Sequence, residues 1–375
     1  MTNTPRPEEL PPIPAKEEPR PKNIVLCLDG THNQISGVNT DVWRLYAALE
    51  RDEAQLTYYD PGVGTLKDAS ALTWHRKMVR WVLDLAAAHS LRDNFIEAYA
   101  FIARHYNPGD RIFIFGFSRG AYTARAVAGA IHLFGLIRPE NENLIAYLWQ
   151  TYSDDSQGAT EAGQKLLFET ARKFKAACCS SEVNVSFLGV WDTVSAFGFI
   201  TQFRTLAHTR NNPSIEVVRH AAAIDEKRSL FGLNQFKHDV EGQDFREVWF
   251  AGYHSDVGGG APANENGLGL ISLDWMIREA VKNGMRINSE KQSELDPNSS
   301  KPVWHNSMGF PMSLLEFLPV RKWNNDTKSY AIKAPNLFKP RPIPEGALIH
   351  HTVFDFETSQ NYNPKNLPKA YTQEP

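Results

Sequence analysis

Residues 111–134 constrain this chain more than any other stretch. The apolar run Arg111-Ile112-Phe113-Ile114-Phe115 meets Gly116-Phe117-Ser118-Arg119-Gly120, and a run of small residues, Ala121 to Leu133, follows directly. A buried strand, a Gly-x-Ser-x-Gly turn and a helix in that order make an elbow that places the serine at a strand tip. A Cβ at 116 or 120 would obstruct so tight a turn. Pro108-Gly109-Asp110 is a turn that starts the strand. The pentapeptide alone fits any strand-to-helix turn. With strand, elbow and helix together, Ser118 becomes a candidate nucleophile, because an ordinary hydroxyl reacts only when it is so placed and activated.

The rest of the chain repeats the same alternation. Asn23–Leu28 is a continuous apolar run, expected to be a strand buried on both faces, and it ends at the polar loop Asp29-Gly30-Thr31. Further strands are expected at 56–59, 183–191 and 246–252, and helices at 42–49, 74–106 with a break at His89-Ser90, 144–177 with a break at 154–158, and 270–283. Residues 212–225 read as partly helical. Strands alternating with helices predict an α/β fold with a mainly parallel sheet flanked by helices, α/β-hydrolase-like, with a C-terminal extension. Met1 to Pro21 is rich in Pro and Glu without an apolar core, so a disordered leader is expected and not a secretory signal. The expected division is this leader (1–21), a catalytic domain (22–290) and a C-terminal extension or cap packed on it (291–375).

A net charge of −3 gives no basic field for nucleic acid. The three cysteines, Cys27, Cys178 and Cys179, form neither a disulfide framework nor a zinc motif, which favours synthesis in a reducing, cytoplasmic compartment. Any export would proceed without a signal peptide. No apolar run reaches the length of a membrane span.

A nucleophilic serine needs a base, and the base needs an orienting acid. In a parallel sheet the carboxyl ends of the strands share one edge, where ligands bind. Asp192 follows the strand expected at 183–191, and His254 follows that at 246–252. Ser118, Asp192 and His254 can therefore converge, in the chain order of α/β-hydrolases. Each has a rival. Asp192 precedes Thr193 and could cap a helix. His350 and His351 lie where such enzymes often keep their histidine, and His220 reads as structural. Asp256 competes with Asp192, although its closeness to His254 suits it better to shaping the glycine-rich loop Gly258-Gly259-Gly260. An oxyanion hole needs two N–H groups: one from Arg119, the other from Gly30 or Thr31, with the Asp29 carboxylate bracing that loop. Ala196-Phe197-Gly198-Phe199-Ile200 could line an acyl pocket or simply belong to the core. No metal or other cofactor is expected.

Leu28-Asp29-Gly30-Thr31, Gly62-Val63-Gly64-Thr65, Gly116-Phe117-Ser118-Arg119-Gly120-Ala121, Val190-Trp191-Asp192-Thr193 and His254-Ser255-Asp256-Val257-Gly258-Gly259-Gly260 together resemble one family across roughly residues 22–285. It is an α/β-hydrolase domain family that includes the Tle1-like phospholipase effectors of type VI secretion. The resemblance implies a Ser118–Asp192–His254 triad, hydrolysis of membrane phospholipid esters, and peripheral contact with a membrane. From the residues alone, a small-ester hydrolase and a non-catalytic binding protein on the same fold stay open, as does the oligomeric state.

Overall fold

The computed structural model describes residues 20–30, 39–62, 88–154, 161–179, 183–194, 206–228, 231–237, 240–306, 320–324, 329–333 and 336–375. Among the described residues ten strands run in chain order: β1 (Asn23–Leu28), β2 (Gln55–Asp60), β3 (Arg111–Phe117), β4 (Val185–Trp191), β5 (Ile215–Ala223), β6 (Asp244–Phe250), β7 (Val320–Asn324), β8 (Ser329–Lys333), β9 (Ala347–His350) and β10 (Tyr371–Glu374). Eight of them form one sheet in the order β10-β9-β6-β5-β4-β3-β1-β2, and every neighbouring pair in it is parallel. β7 and β8 form a separate antiparallel pair.

Helices cover both faces. They include α1 (Asp41–Ala48), α2 (Ala88–His105), α3 (Arg119–Phe134), α4 (Ile145–Ser153), α5 (Glu161–Cys178), α6 (His254–Val257), α7 (Gly267–Lys282) and α8 (Thr352–Gln360). Alternate residues of β1 serve opposite faces, as a strand's period of two requires. Ile24, Leu26 and Leu28 pack with α2, α3 and α4, whereas Val25 and Cys27 join Val42, Leu45, Trp275 and Met276 of α1 and α7. That double burial explains why the central strands read as unbroken apolar runs.

After β1 the chain crosses to β2 at one edge, then returns to place β3 on the other side of β1 and builds outward from there. The connections thus diverge between β1 and β3, and such a switch point opens a crevice at the carboxyl ends of the strands. Ser118 and the Asp29-Gly30 loop flank it.

One expectation needs correction. Residues 212–225 are not helical; they hold β5, hydrogen-bonded between β4 and β6. Its Ala221-Ala222-Ala223 end has a helical propensity. Burial at the centre of the sheet overrides that weak propensity. Of the helix expected at 74–106 with a break around His89-Ser90, residues 88–105 form α2, and 74–87 lie outside the described residues. Residues 291–375, expected to pack on the domain, also supply β9 and β10 to the main sheet. The leader 1–19 lies outside the described residues.

Candidate active site

Ser118 sits between β3 and α3 with φ 57° and ψ −117°. A side chain rarely adopts such a backbone, and it persists only where the surroundings enforce it. The enforcement is visible on both sides. A Cβ on Gly116 would stand 2.6 Å from the Gly120 carbonyl oxygen, and one on Gly120 would stand 2.1 Å from the Leu28 carbonyl oxygen. Strand, helix and the end of β1 meet backbone to backbone. The Ser118 N–H donates to the Trp191 carbonyl of β4 at 3.1 Å, tying the elbow to the strand that delivers Asp192.

Asp192 follows β4 with φ 36° and is fully buried. Thr193 and Val194, directly after it, are not helical, and Val194 bridges to Leu233, so Asp192 does not cap a helix starting there. Its Oδ2 meets His254 Nδ1 at 2.5 Å, and its Oδ1 accepts the Ala223 N–H at 2.9 Å. Arg341, from the C-terminal segment, donates through Nη1 to Oδ1 at 2.6 Å and through Nη2 to Oδ2 at 3.0 Å. Burial alone would push this carboxyl up. The Arg341 guanidinium and then His254 outweigh it and hold Asp192 well below the usual carboxylate range.

His254 opens α6, just past β6, and its Nε2 lies 2.9 Å from Ser118 Oγ. An ionised Asp192 can only accept, so Nδ1 carries the proton and Nε2 offers its lone pair to the serine hydroxyl. The ring is held between Phe117, at 4.6 Å between centroids, and Phe231, at 5.0 Å. Burial pushes the imidazole below its ordinary value, against the opposing pull of Asp192. Ser118, His254 and Asp192, from three separate strand ends, thus form one hydrogen-bonded chain.

The rival histidines bond elsewhere. His350 Nδ1 meets Thr352 Oγ1 at 2.9 Å while its ring stacks on Phe250, and His351 Nδ1 meets Asp355 at 3.1 Å. His220 lies on β5 and accepts the Thr193 N–H. Asp256 shapes the loop: its Oδ2 accepts the N–H groups of Tyr253 and His305, both at 3.2 Å, and its Oδ1 meets His305 Nδ1 at 2.7 Å.

Asp29 braces its own loop by accepting Gly30 N–H at 2.7 Å, Thr40 Oγ1 at 2.5 Å and Tyr59 OH at 2.9 Å. That bond turns the Gly30 N–H toward Asp29, so of the two expected donors Gly30 is already engaged. Thr31 lies outside the described residues, as does the stretch 196–200 considered for an acyl pocket. Arg119 is the first residue of α3. Among the described residues no cluster of His, Cys, Asp or Glu is arranged to hold a metal ion.

Sequence reasoning missed Arg341 and the roles of His220 and His305. The sequence around Arg341 is Pro340-Arg341-Pro342, whose fixed backbone carries no periodic signal.

Comparison with known proteins adds three findings. The family model for the catalytic domain of Tle1-like phospholipase effectors of the type VI secretion system matches residues 22–279. An uncharacterized protein of Saccharomyces cerevisiae, YEL023C, is 32% identical over 226 residues, which cover 58% of this chain and 33% of that protein. The chain therefore spans about a third of the length of this curated relative. Two solved structures show looser likeness. One is an uncharacterized protein from Pseudomonas aeruginosa, 20% identical, covering 75% of this chain and 49% of that one with a TM-score of 0.42. The other is a Tle1 effector bound to the VgrG spike of the type 6 secretion system, 14% identical, covering 100% and 98% of the two chains with a TM-score of 0.45.

Proposed function

The chain belongs to the family of Tle1-like type VI secretion phospholipase effector catalytic domains, and from that premise we propose that it is a serine hydrolase of lipid acyl esters. The observation that carries this reading is the unbroken chain Ser118 Oγ, His254 Nε2, His254 Nδ1, Asp192 Oδ2, with links of 2.9 and 2.5 Å.

In this mechanism Ser118 Oγ attacks the ester carbonyl while His254 Nε2 takes its proton. Asp192 holds the imidazole and stabilises the charge that it gains. The Arg119 N–H, with a second donor from the Gly30-Thr31 loop, receives the oxyanion. Because the Gly30 N–H is bonded to Asp29, Thr31 is the better candidate for that donor. The tetrahedral species collapses to an acyl-serine. The alcohol leaves with the proton from His254, and water, activated by the same imidazole, releases the acid. Phospholipid acyl esters are the proposed substrates on the strength of the family, and the enzyme would meet them at a membrane surface. No described helix is long and apolar enough to cross a membrane.

A fluorophosphonate probe tests the chemistry. Labelling at Ser118 that is lost in both Ser118→Ala and His254→Asn is the expected result; an unlabelled wild-type chain refutes it. Release of fatty acid from phosphatidylcholine–phosphatidylglycerol vesicles, measured beside p-nitrophenyl butyrate turnover, tests the substrate class. Turnover of the soluble ester alone would make this a small-ester hydrolase.

A further inference from the structure

The Asp192 carboxylate is shared between two cationic partners. His254 takes one oxygen, and the Arg341 fork spans both. Arg341 is itself fixed from several directions. Its Nε donates to the Phe231 carbonyl at 3.1 Å, Nη2 donates to the same carbonyl, and its backbone N–H donates to the Glu226 carbonyl at 3.3 Å. The Asn366 side chain donates to the Arg341 carbonyl at 3.0 Å. Prolines on both sides restrict its backbone. The guanidinium is therefore a preset clamp, delivered from a segment beyond the residues that match the family model.

A clamp of this kind has two consequences. The bidentate fork fixes the rotation of the carboxylate, and with it the direction in which Oδ2 meets the imidazole. The positive charge also draws on the same carboxylate that must stabilise a protonated His254, so it disfavours that protonation. The other charged groups near the imidazole are Glu226, whose Oε2 accepts the His254 N–H at 3.4 Å, and Arg228, which neutralises Glu226 through a two-bond pair. Asp256, on the same helix as His254, is paired with His305, which also meets Glu265. Phe117 and Phe231 pack against the ring without charge. Each of these carboxylates thus carries its own cationic or imidazole partner, and among the described residues only Arg341 shares a carboxylate with the base itself.

We propose that Arg341 is a positioning residue of the Ser118–His254–Asp192 site, which aims the Asp192 carboxylate and sets the acid limit of catalysis. This rests on the serine-hydrolase reading above. The test uses the full chain with Arg341→Met, which removes the charge at similar length, and Arg341→Lys, which keeps the charge but loses the fork. Two readouts are taken: the NMR titration of the His254 imidazole, which needs no turnover, and the pH profile of kcat/KM on a soluble ester.

In folded R341M the imidazole midpoint and the acid limb should both move upward by about one pH unit. In R341K the midpoint should stay close to wild type while kcat falls by about tenfold. An unmoved or lowered midpoint in R341M makes Arg341 a structural tie alone and overturns the proposal. If R341M does not fold, R341K decides: wild-type kcat there overturns the positioning role, and a reduced kcat with the midpoint held supports it. If the wild-type chain neither labels nor turns over ester, the hydrolase reading fails, and the titration still shows whether Arg341 governs His254.

Discussion

The backbone N–H of Thr193, one residue past Asp192, donates to Nε2 of the buried His220 across 3.2 Å. Glu247 Oε2 meets the other ring nitrogen at 2.9 Å. An ionised glutamate only accepts, so Nδ1 carries the hydrogen and Nε2 is left with the lone pair that the Thr193 N–H needs. The pair thereby fixes the chain as it leaves β4, where Asp192 takes its positive φ.

His220→Phe fills the space but leaves the Thr193 N–H without an acceptor, and a buried unmade hydrogen bond costs about 1–3 kcal/mol. Urea unfolding should show a loss of that size, and kcat should fall by about tenfold as Asp192 loses its alignment. His220→Gln, which can present both an acceptor and a donor, should recover part of each. A His220→Phe chain as stable and as active as wild type would show that the pair does not hold this turn.

Gly120 makes a sharper prediction. Its absent Cβ would lie 2.1 Å from the Leu28 carbonyl oxygen and 2.5 Å from that of Asp29. Both obstacles are backbone, so no side chain can rotate away. Gly120→Ala must push α3 off the end of β1, at a cost of about 3 kcal/mol or more. The same displacement separates the elbow from the Asp29 loop. Denaturation midpoints and fluorophosphonate labelling should fall together. A stable Gly120→Ala chain that still labels would mean that the close approach is not required.

Much of this arrangement was legible in the sequence. The elbow reads directly because Gly-x-Ser-x-Gly between an apolar run and a small-residue run is a local pattern, although only Gly116 answers to neighbours in sequence, Gly120 and Ala121, while Gly120 answers to the distant Leu28 and Asp29 carbonyls. Asp192 and His254 read from a rule of topology, since parallel strands buried on both faces advertise themselves as apolar runs and their ends must share an edge. β5 was misread because Ala221-Ala222-Ala223 carries a helical bias, which only the sheet on both sides overrules. Arg341 could not be read at all. It lies 149 positions from Asp192, on a proline-bound segment ahead of β9, and no local pattern announces a pairing over that distance.

Strain at the elbow yields a prediction about stability without activity. Ser118 holds φ 57° and ψ −117°, a region that costs a residue with a Cβ on the order of 1–3 kcal/mol. Glycine relieves that strain, less about 0.5–1 kcal/mol for its greater freedom when unfolded. Ser118→Gly should therefore unfold about 1 kcal/mol later than Ser118→Ala. Both lack the hydroxyl, so the comparison isolates the backbone. Equal stability of the two would show that the elbow stores no strain.

The last prediction concerns a buried acid that the proposed mechanism does not use. Asp41, at the start of α1, is fully buried, and its N–H donates to the Gly258 carbonyl at 3.0 Å beside the glycine-rich loop that follows His254. Burial pushes its carboxyl up to about 7, against the opposing pull of Arg44 and Ser272. An unfolded chain releases that proton near pH 4. Between these values the folded state binds the extra proton, so this group's contribution to stability falls as pH rises from about 4 to about 7 and stays low beyond. Asp41→Asn cannot ionise and escapes the loss. The stability of Asp41→Asn relative to wild type should therefore increase from pH 4.5 to pH 8, by about 2–4 kcal/mol. Urea unfolding of both chains at pH 4.5, 6 and 8 measures the difference. A difference that is flat or shrinks with rising pH would mean that Asp41 is already ionised at acid pH, with Arg44 compensating its burial.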